Sequence, residues 1–173
     1  VANDSRVQID LAERSHGDAR FEVTVPAGVR VTARSRSGDI SVTGTRGEVE
    51  VHTQNGDVRV QDATDRVEIA TLSGDVEASN LSGDIQINSV NGDLRVTGMK
   101  GDIEATSTSG SVVIRNAAAR YVRAKTTSGD VEYDGSITGN GRYELSTHSG
   151  DLRLAVPANS SATVSIATWS GSI

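Results

Sequence analysis

Cysteine is absent from this chain, so neither disulfides nor thiolate metal sites can hold it together. That absence is compatible with an exported protein. Proline is confined to Pro26 and Pro157, which leaves long stretches free to donate every backbone N–H to a strand ladder. Aromatic residues make up only 3%, with one Phe and one Trp, too few for the large side chains of a thick globular core. A slender stack of Val, Ile, Leu and Ala is favoured instead. No stretch approaches the roughly 20 apolar residues of a helical membrane span, so membrane attachment is expected only through segments outside this chain. The 23 acidic and 17 basic residues interleave without a run of one sign, and no basic stripe carries stacking aromatics. Nucleic acid is therefore not an expected partner. His16, His52 and His148 fall in unrelated places, and no nucleophile is paired with a His and an acid in a recognisable motif. Neither a catalytic residue nor a cofactor is expected.

What the chain has instead is glycine at a fixed interval. Eight sites form one series: Ser37-Gly38-Asp39-Ile40, Asn55-Gly56-Asp57-Val58, Ser73-Gly74-Asp75-Val76, Asn91-Gly92-Asp93-Leu94, Ser109-Gly110-Ser111-Val112, Ser128-Gly129-Asp130-Val131, Ser149-Gly150-Asp151-Leu152 and Ser170-Gly171-Ser172-Ile173. A period of 18 residues, rising to 21 near the end, marks a solenoid in which neighbouring coils bury each other's apolar face. The expected fold is all-β: a single parallel β-solenoid over residues 1–173, with two short strands in each of about eight coils.

Apolar alternation assigns the faces. In the first strand of each coil the inward pairs are Ile40/Val42, Val58/Val60, Val76/Ala78, Leu94/Val96, Val112/Ile114, Val131/Tyr133 and Leu152/Leu154. In the second they are Val29/Val31, Val49/Val51, Val67/Ile69, Ile85/Ile87, Ile103/Ala105, Val122/Ala124, Tyr143/Leu145 and Val164/Ile166. The second strand then continues through two further columns read as inward. One runs Ser35, Thr53, Thr71, Ser89, Ser107, Thr126, Thr147, Thr168, and the other Ser37, Asn55, Ser73, Asn91, Ser109, Ser128, Ser149, Ser170. Their hydroxyls and amides are expected to bond to their equivalents one coil away and to turn backbone. Gly38, Gly56, Gly74, Gly92, Gly129 and Gly150 supply the positive φ of the corner, and the following Asp caps amides. The opposite corner uses Gly44, Asp62, Asn80, Gly98 and Asn116, all tolerant of the left-handed region. It lengthens from Ala117 onward, where Tyr133 and Tyr143 are read as fillers of a wider coil. Residues 1–27 are expected to form a degenerate capping coil with strands around Val7/Ile9/Leu11 and Phe21/Val23/Val25. Residues 28–173 hold the regular coils, and the stop at Ile173, one strand into a new repeat, reads as a truncation.

Repeated Ser-Gly-Asp-Ile/Val units preceded by Val25-Pro26-Ala27, echoed at Val156-Pro157-Ala158, resemble a bacterial family of β-solenoid domains labelled as adhesins and of unknown function. The resemblance covers about Phe21 to Ile173. It implies a surface or cell-envelope protein with an unidentified protein or glycan partner, linked in some members to envelope stress. It carries over no catalytic residue.

Four kinds of site remain to be weighed. The column Asp39, Asp57, Asp75, Asp93 could recruit calcium, but calcium-binding rolls use two glycines where this chain has one, and Ser111 interrupts the series; turn capping is the competing account. Glycan cleavage would need charges converging in a groove, whereas Arg59, Glu77 and Arg95 alternate as an ion-paired, solvated face. Ice binding would need outward Thr ladders. An outward column beside the corner, Arg36, Gln54, Leu72, Val90, Thr108, Thr127, His148 and Trp169, is partly apolar and forms, with Tyr121, the expected interaction surface. The expected function is a non-enzymatic, extracytoplasmic binding or scaffold module. The alternative is a structural protein that self-associates end to end into filaments.

Overall fold

The structure, a computed structural model, describes residues 6–11, 28–137, 140–155 and 163–173. Among them there is no helix. The described residues form sixteen strands in two parallel sheets. The nine-stranded sheet is built from β1 (Arg6–Leu11), β2 (Arg30–Ser37), β4 (Val49–Asn55), β6 (Val67–Ser73), β8 (Ile85–Asn91), β10 (Ile103–Ser109), β12 (Tyr121–Ser128), β14 (Arg142–Ser149) and β16 (Thr163–Ser170), in that spatial order. The seven-stranded sheet runs β3 (Ile40–Thr43), β5 (Val58–Gln61), β7 (Val76–Ser79), β9 (Leu94–Thr97), β11 (Val112–Ala118), β13 (Val131–Ser136) and β15 (Leu152–Ala155). From β2 onward successive strands alternate between sheets, so each coil contributes one strand to each. About seven turns are complete, and β16 opens the next. The fold is the expected β-solenoid.

The core is the column-by-column stack of inward aliphatics. Val49, Val51, Ile69, Ile87, Leu94 and Ile103 are fully buried, and burying one such side chain stabilises by roughly 1.5–3 kcal/mol. Register pins each to its equivalent one coil away: Val49 opposes Val67, Val67 opposes Ile85 and Ile85 opposes Ile103. Tyr133 and Tyr143 are buried with ring centroids 5.8 Å apart in an edge-to-face arrangement, filling the wider coils. The widening begins at a register shift between Arg115 and Ala117, as the long corner after Ala117 suggests.

Three details depart from the alternation. First, Val31 opposes Val49 and Ala33 opposes Val51, so the inward pair of the first regular coil is Val31/Ala33, two residues later than Val29/Val31. Val29 is buried at the turn, where it sits under Gly47. Second, the column from Ser37 to Ser170 does not point inward. The pairing joins Thr53 to Thr71 and Asn55 to Ser73 but skips Gln54, where the strand bends into the corner and the strict alternation ends. Asn55, Asn91, Ser109, Ser128 and Ser149 are exposed. Third, a column of buried corner residues, Ala63, Leu81, Met99 and Ala117, follows the left-handed position at 18-residue spacing. Asp62, Asn80 and Asn116 hold φ of 55°, 55° and 53°, which turns the next side chain into the core.

β1 lies beside β2, Val7 opposite Val31, and extends the ladder by one strand. The expected strand around Phe21/Val23/Val25, His16, and both proline segments lie outside the described residues.

Candidate binding surface beside the glycine corner

At the Gly-Asp corner the carboxylates have a structural task. The backbone N–H of Asp57 donates to Oδ1 of Asp39, Asp75 to Asp57, Asp93 to Asp75 and Ser111 to Asp93, each at 2.9 Å. The series resumes with Asp151 to Asp130 at 2.8 Å and Ser172 to Asp151 at 2.9 Å. Where Ser111 stands in place of Asp, its hydroxyl accepts from Asp130 N–H at 3.4 Å, the longest link in the column. Each carboxylate thus satisfies an amide that the corner would otherwise strand. Asp84 and Asp102 act likewise on the second half-repeat, accepting from Asp102 N–H and Tyr121 N–H. Among the described residues no group of three or more His, Cys, Asp or Glu could hold a metal ion.

Gly56, Gly74, Gly92, Gly129 and Gly150 all have φ between 127° and 148°, and Gly38 has 114°. Stacking adds a second constraint: a Cβ on Gly92 would run into the Gly74 carbonyl one coil back. Beneath the corner, the hydroxyls of the Ser35-to-Thr168 column bond to backbone carbonyls and not to one another, except that of Ser89, which is buried without a partner. Ser35 and Thr53 donate to the carbonyls of Ser37 and Asn55, whereas Thr126 and Thr147 donate to Gly110 and Gly129 one coil back. Of the two expected kinds of partner, equivalents one coil away and turn backbone, these hydroxyls use the backbone. The amides of Asn55 and Asn91 similarly reach the carbonyls of Arg36 and Leu72.

The outward column beside this corner is where the coils differ from one another. Leu72 is 49% exposed, Val90 40% and Trp169 84%. The Trp169 indole lies against the His148 ring, centroids 6.1 Å apart and planes 16° from parallel. Tyr121 is not gathered with them: it opens β12, six positions before Thr127, and is half-buried. Two residues earlier on each strand runs a parallel outward row, Arg34, His52, Ala70, Asn88, Thr106, Lys125, Ser146 and Ala167, joined by the strand register.

The next row over is acidic and ion-paired. Glu50 accepts from His52 at 2.8 Å and pairs with Arg34 at 3.3 Å; the His52 hydrogen bond is the main cause holding its carboxyl below the usual range. Lys125, 2.6 Å from Glu144, does the same for that carboxyl. On the seven-stranded sheet Arg59 pairs with Glu77 at 2.8 Å and Arg115 with Glu132 at 3.0 Å, the cross-coil ion-paired face that the alternation suggested. Burial raises the Tyr133 hydroxyl well above its ordinary value.

The Toastrack DUF4097 family model matches residues 22–173, nearly the whole solenoid. The chain belongs to the Toastrack family. No curated protein and no solved structure matches it. Toastrack is a domain of unknown function, so membership accounts for the coil and assigns no ligand. The extent agrees with the resemblance read from about Phe21 onward, while the adhesin label attached to that resemblance is not part of what the match shows. In this Toastrack chain the groups repeated in every coil are spent on the coil itself, and the variable outward rows remain as the candidate surface.

Proposed function

We propose that this chain is a non-enzymatic binding or scaffold module of the bacterial cell envelope, adhesin-like and working outside the cytoplasm. The observation that carries this reading is Trp169, the chain's one tryptophan, 84% exposed and laid flat against His148 on a stiff sheet. A large aromatic in that position is costly to leave in water and is typical of recognition surfaces. Supporting it, the corner Asp and Thr groups are occupied by backbone, so the chemistry that varies lies on one outer face. The test is binding of the fluorescently labelled domain to intact bacterial envelopes, comparing Trp169→Ala. A clear loss with unchanged circular dichroism supports the reading; equal binding by the variant, or none by either, sinks it.

A second reading is end-to-end self-association. It is favoured by β16, whose residues Thr163–Ser170 include no charge to deter strand pairing and whose Val164 and Ile166 are only half-buried. Sedimentation at rising concentration tests it, and a monomer throughout excludes it.

A further inference from the structure

The two outward rows nearest the glycine corner share an unexpected property. From β2 to β16 they provide two positions on each of eight strands, and none is Asp or Glu in a chain with 23 acids. The strip ends at β1, where Asp10 takes the register position opposite Arg34. Its length across the eight strands is about 34 Å at the ~4.8 Å strand spacing. On the sheet side it is bounded by a row that holds Glu50, Glu68, Glu104 and Glu144 together with Arg123, and on the other side by the Asp ladder around the corner. Two of the cations within it, Arg34 and Lys125, are paired to Glu50 and Glu144 of the bounding row. Glu68 and Glu104 are paired in turn to Arg66 and Arg123, so the strip and its sheet-side margin are close to neutral and the Asp ladder supplies the negative charge on the corner side.

We infer that this strip binds an uncharged linear polysaccharide laid across the strands, with Trp169 as the stacking platform for one sugar ring. The inference rests on the binding-module reading above and names its ligand class. Charge selects the class: a polyanion laid along the strip meets the Asp ladder at the corner in a protein of net charge −6, and an uncharged chain meets none of that penalty. The side chains select it further. Ala70, Val90, Thr106, Thr108 and Thr127 are small and keep the strip flat, without the deep apolar pocket that anchors a peptide side chain. Along its margin the exposed Asn55, Asn91, Ser109, Ser128 and Ser149 offer amides and hydroxyls to a hydroxylated ligand. From β2 to β14 the strip lies on a sheet face and not an edge, so there its backbone groups are already paired to neighbouring strands and cannot add an extended peptide; β16 alone, at its end, is an edge strand.

The test titrates dextran, laminarin, xylan and chitohexaose, with polygalacturonate and poly-L-glutamate as charged competitors, into the intact domain. Trp169 emission reports binding of the unmodified protein and calorimetry that of Trp169→Ala. The expected result is a blue shift with at least one uncharged glycan, insensitive to salt between 50 mM and 500 mM because no ion pair is made. Thr127→Glu, which puts a carboxylate in the strip, should weaken that binding by about tenfold, a 1.4 kcal/mol effect. Ser41→Glu on the other sheet should leave it unchanged. Binding only by polygalacturonate or poly-L-glutamate, binding by no uncharged glycan, or full binding by both Trp169→Ala and Thr127→Glu overturns the inference. If envelope binding depends on Trp169 yet no uncharged glycan binds, the module reading stands and this inference alone falls.

Discussion

The backbone N–H of Asp75 donates to Oδ1 of Asp57, one coil back, at 2.9 Å. Asp75 in turn accepts from Asp93, so each carboxylate is a rung in a ladder running the length of the corner. Repetition here stabilises the coil stack. Asp75→Ala should destabilise by about 1 kcal/mol, the usual net worth of one such bond, and Asp75→Asn by less because it keeps an acceptor. Urea midpoints compare them. Exchanging calcium for a chelator should leave the melting temperature of the parent chain unchanged; a rise with calcium would show that these oxygens serve a cation.

The glycines of that corner are not equivalent to substitution. Gly38 and Gly92 both have positive φ, but only at Gly92 would a Cβ also meet the preceding coil's backbone. Gly92→Ala should therefore destabilise by more than about 2 kcal/mol and Gly38→Ala by clearly less. Equal losses would mean that φ strain alone matters.

The two core tyrosines differ in what their hydroxyls hold. Tyr143 donates to the buried carbonyl of Ala119 at 2.7 Å, Tyr133 to the part-buried carbonyl of Ser136 at 3.2 Å. Tyr143→Phe should cost about 1–3 kcal/mol by stranding a buried carbonyl, and Tyr133→Phe less. Thermal melts of the two variants rank them.

Leu81 and Leu72 separate core from surface within one turn of the solenoid. Leu81 is 1% exposed and Leu72 49%. Leu81→Ala should cost roughly 2–5 kcal/mol and Leu72→Ala under about 1 kcal/mol. A large loss at Leu72 would place it in the packing and not on the binding strip.

Acid should remove part of the ion-pair contribution. The Glu144 carboxyl is lowered below its ordinary 4.5, chiefly by its bond to Lys125. A depressed folded pKa means that the contribution is fully present above the unfolded value and lost as pH falls through the folded one. The stability gap between the parent chain and Glu144→Gln should be constant from pH 7 to about 5 and close below 4.5. The partly exposed site keeps the gap small.

The 18-residue period, the two strands per coil and the positive φ at Gly38 or Asn80 were legible in the chain because each depends on local chemistry that repeats. So was the outward column from Arg36 to Trp169. What failed were readings that extended alternation past the point where the strand bends. Asn55 and its equivalents turn outward because the ladder skips Gln54, and Val31, not Val29, opens the first inward pair because pairing with Val49 sets the register. The buried Leu81 and Met99 were missed because a lone apolar residue after a corner has no period of its own within one coil; only its recurrence at positions 63, 81, 99 and 117 signals it.

The sequence by itself thus determined a stacked coil of two strands, since period-2 alternation bounded by glycine at a constant interval admits few other folds. The tertiary structure alone decided which atoms the repeated Asp and Thr groups satisfy, and that they are engaged by the coil. It also decided that two rows free of carboxylate lie side by side. That arrangement joins residues 18 to 21 apart through strand register, and no local pattern along the chain could display it.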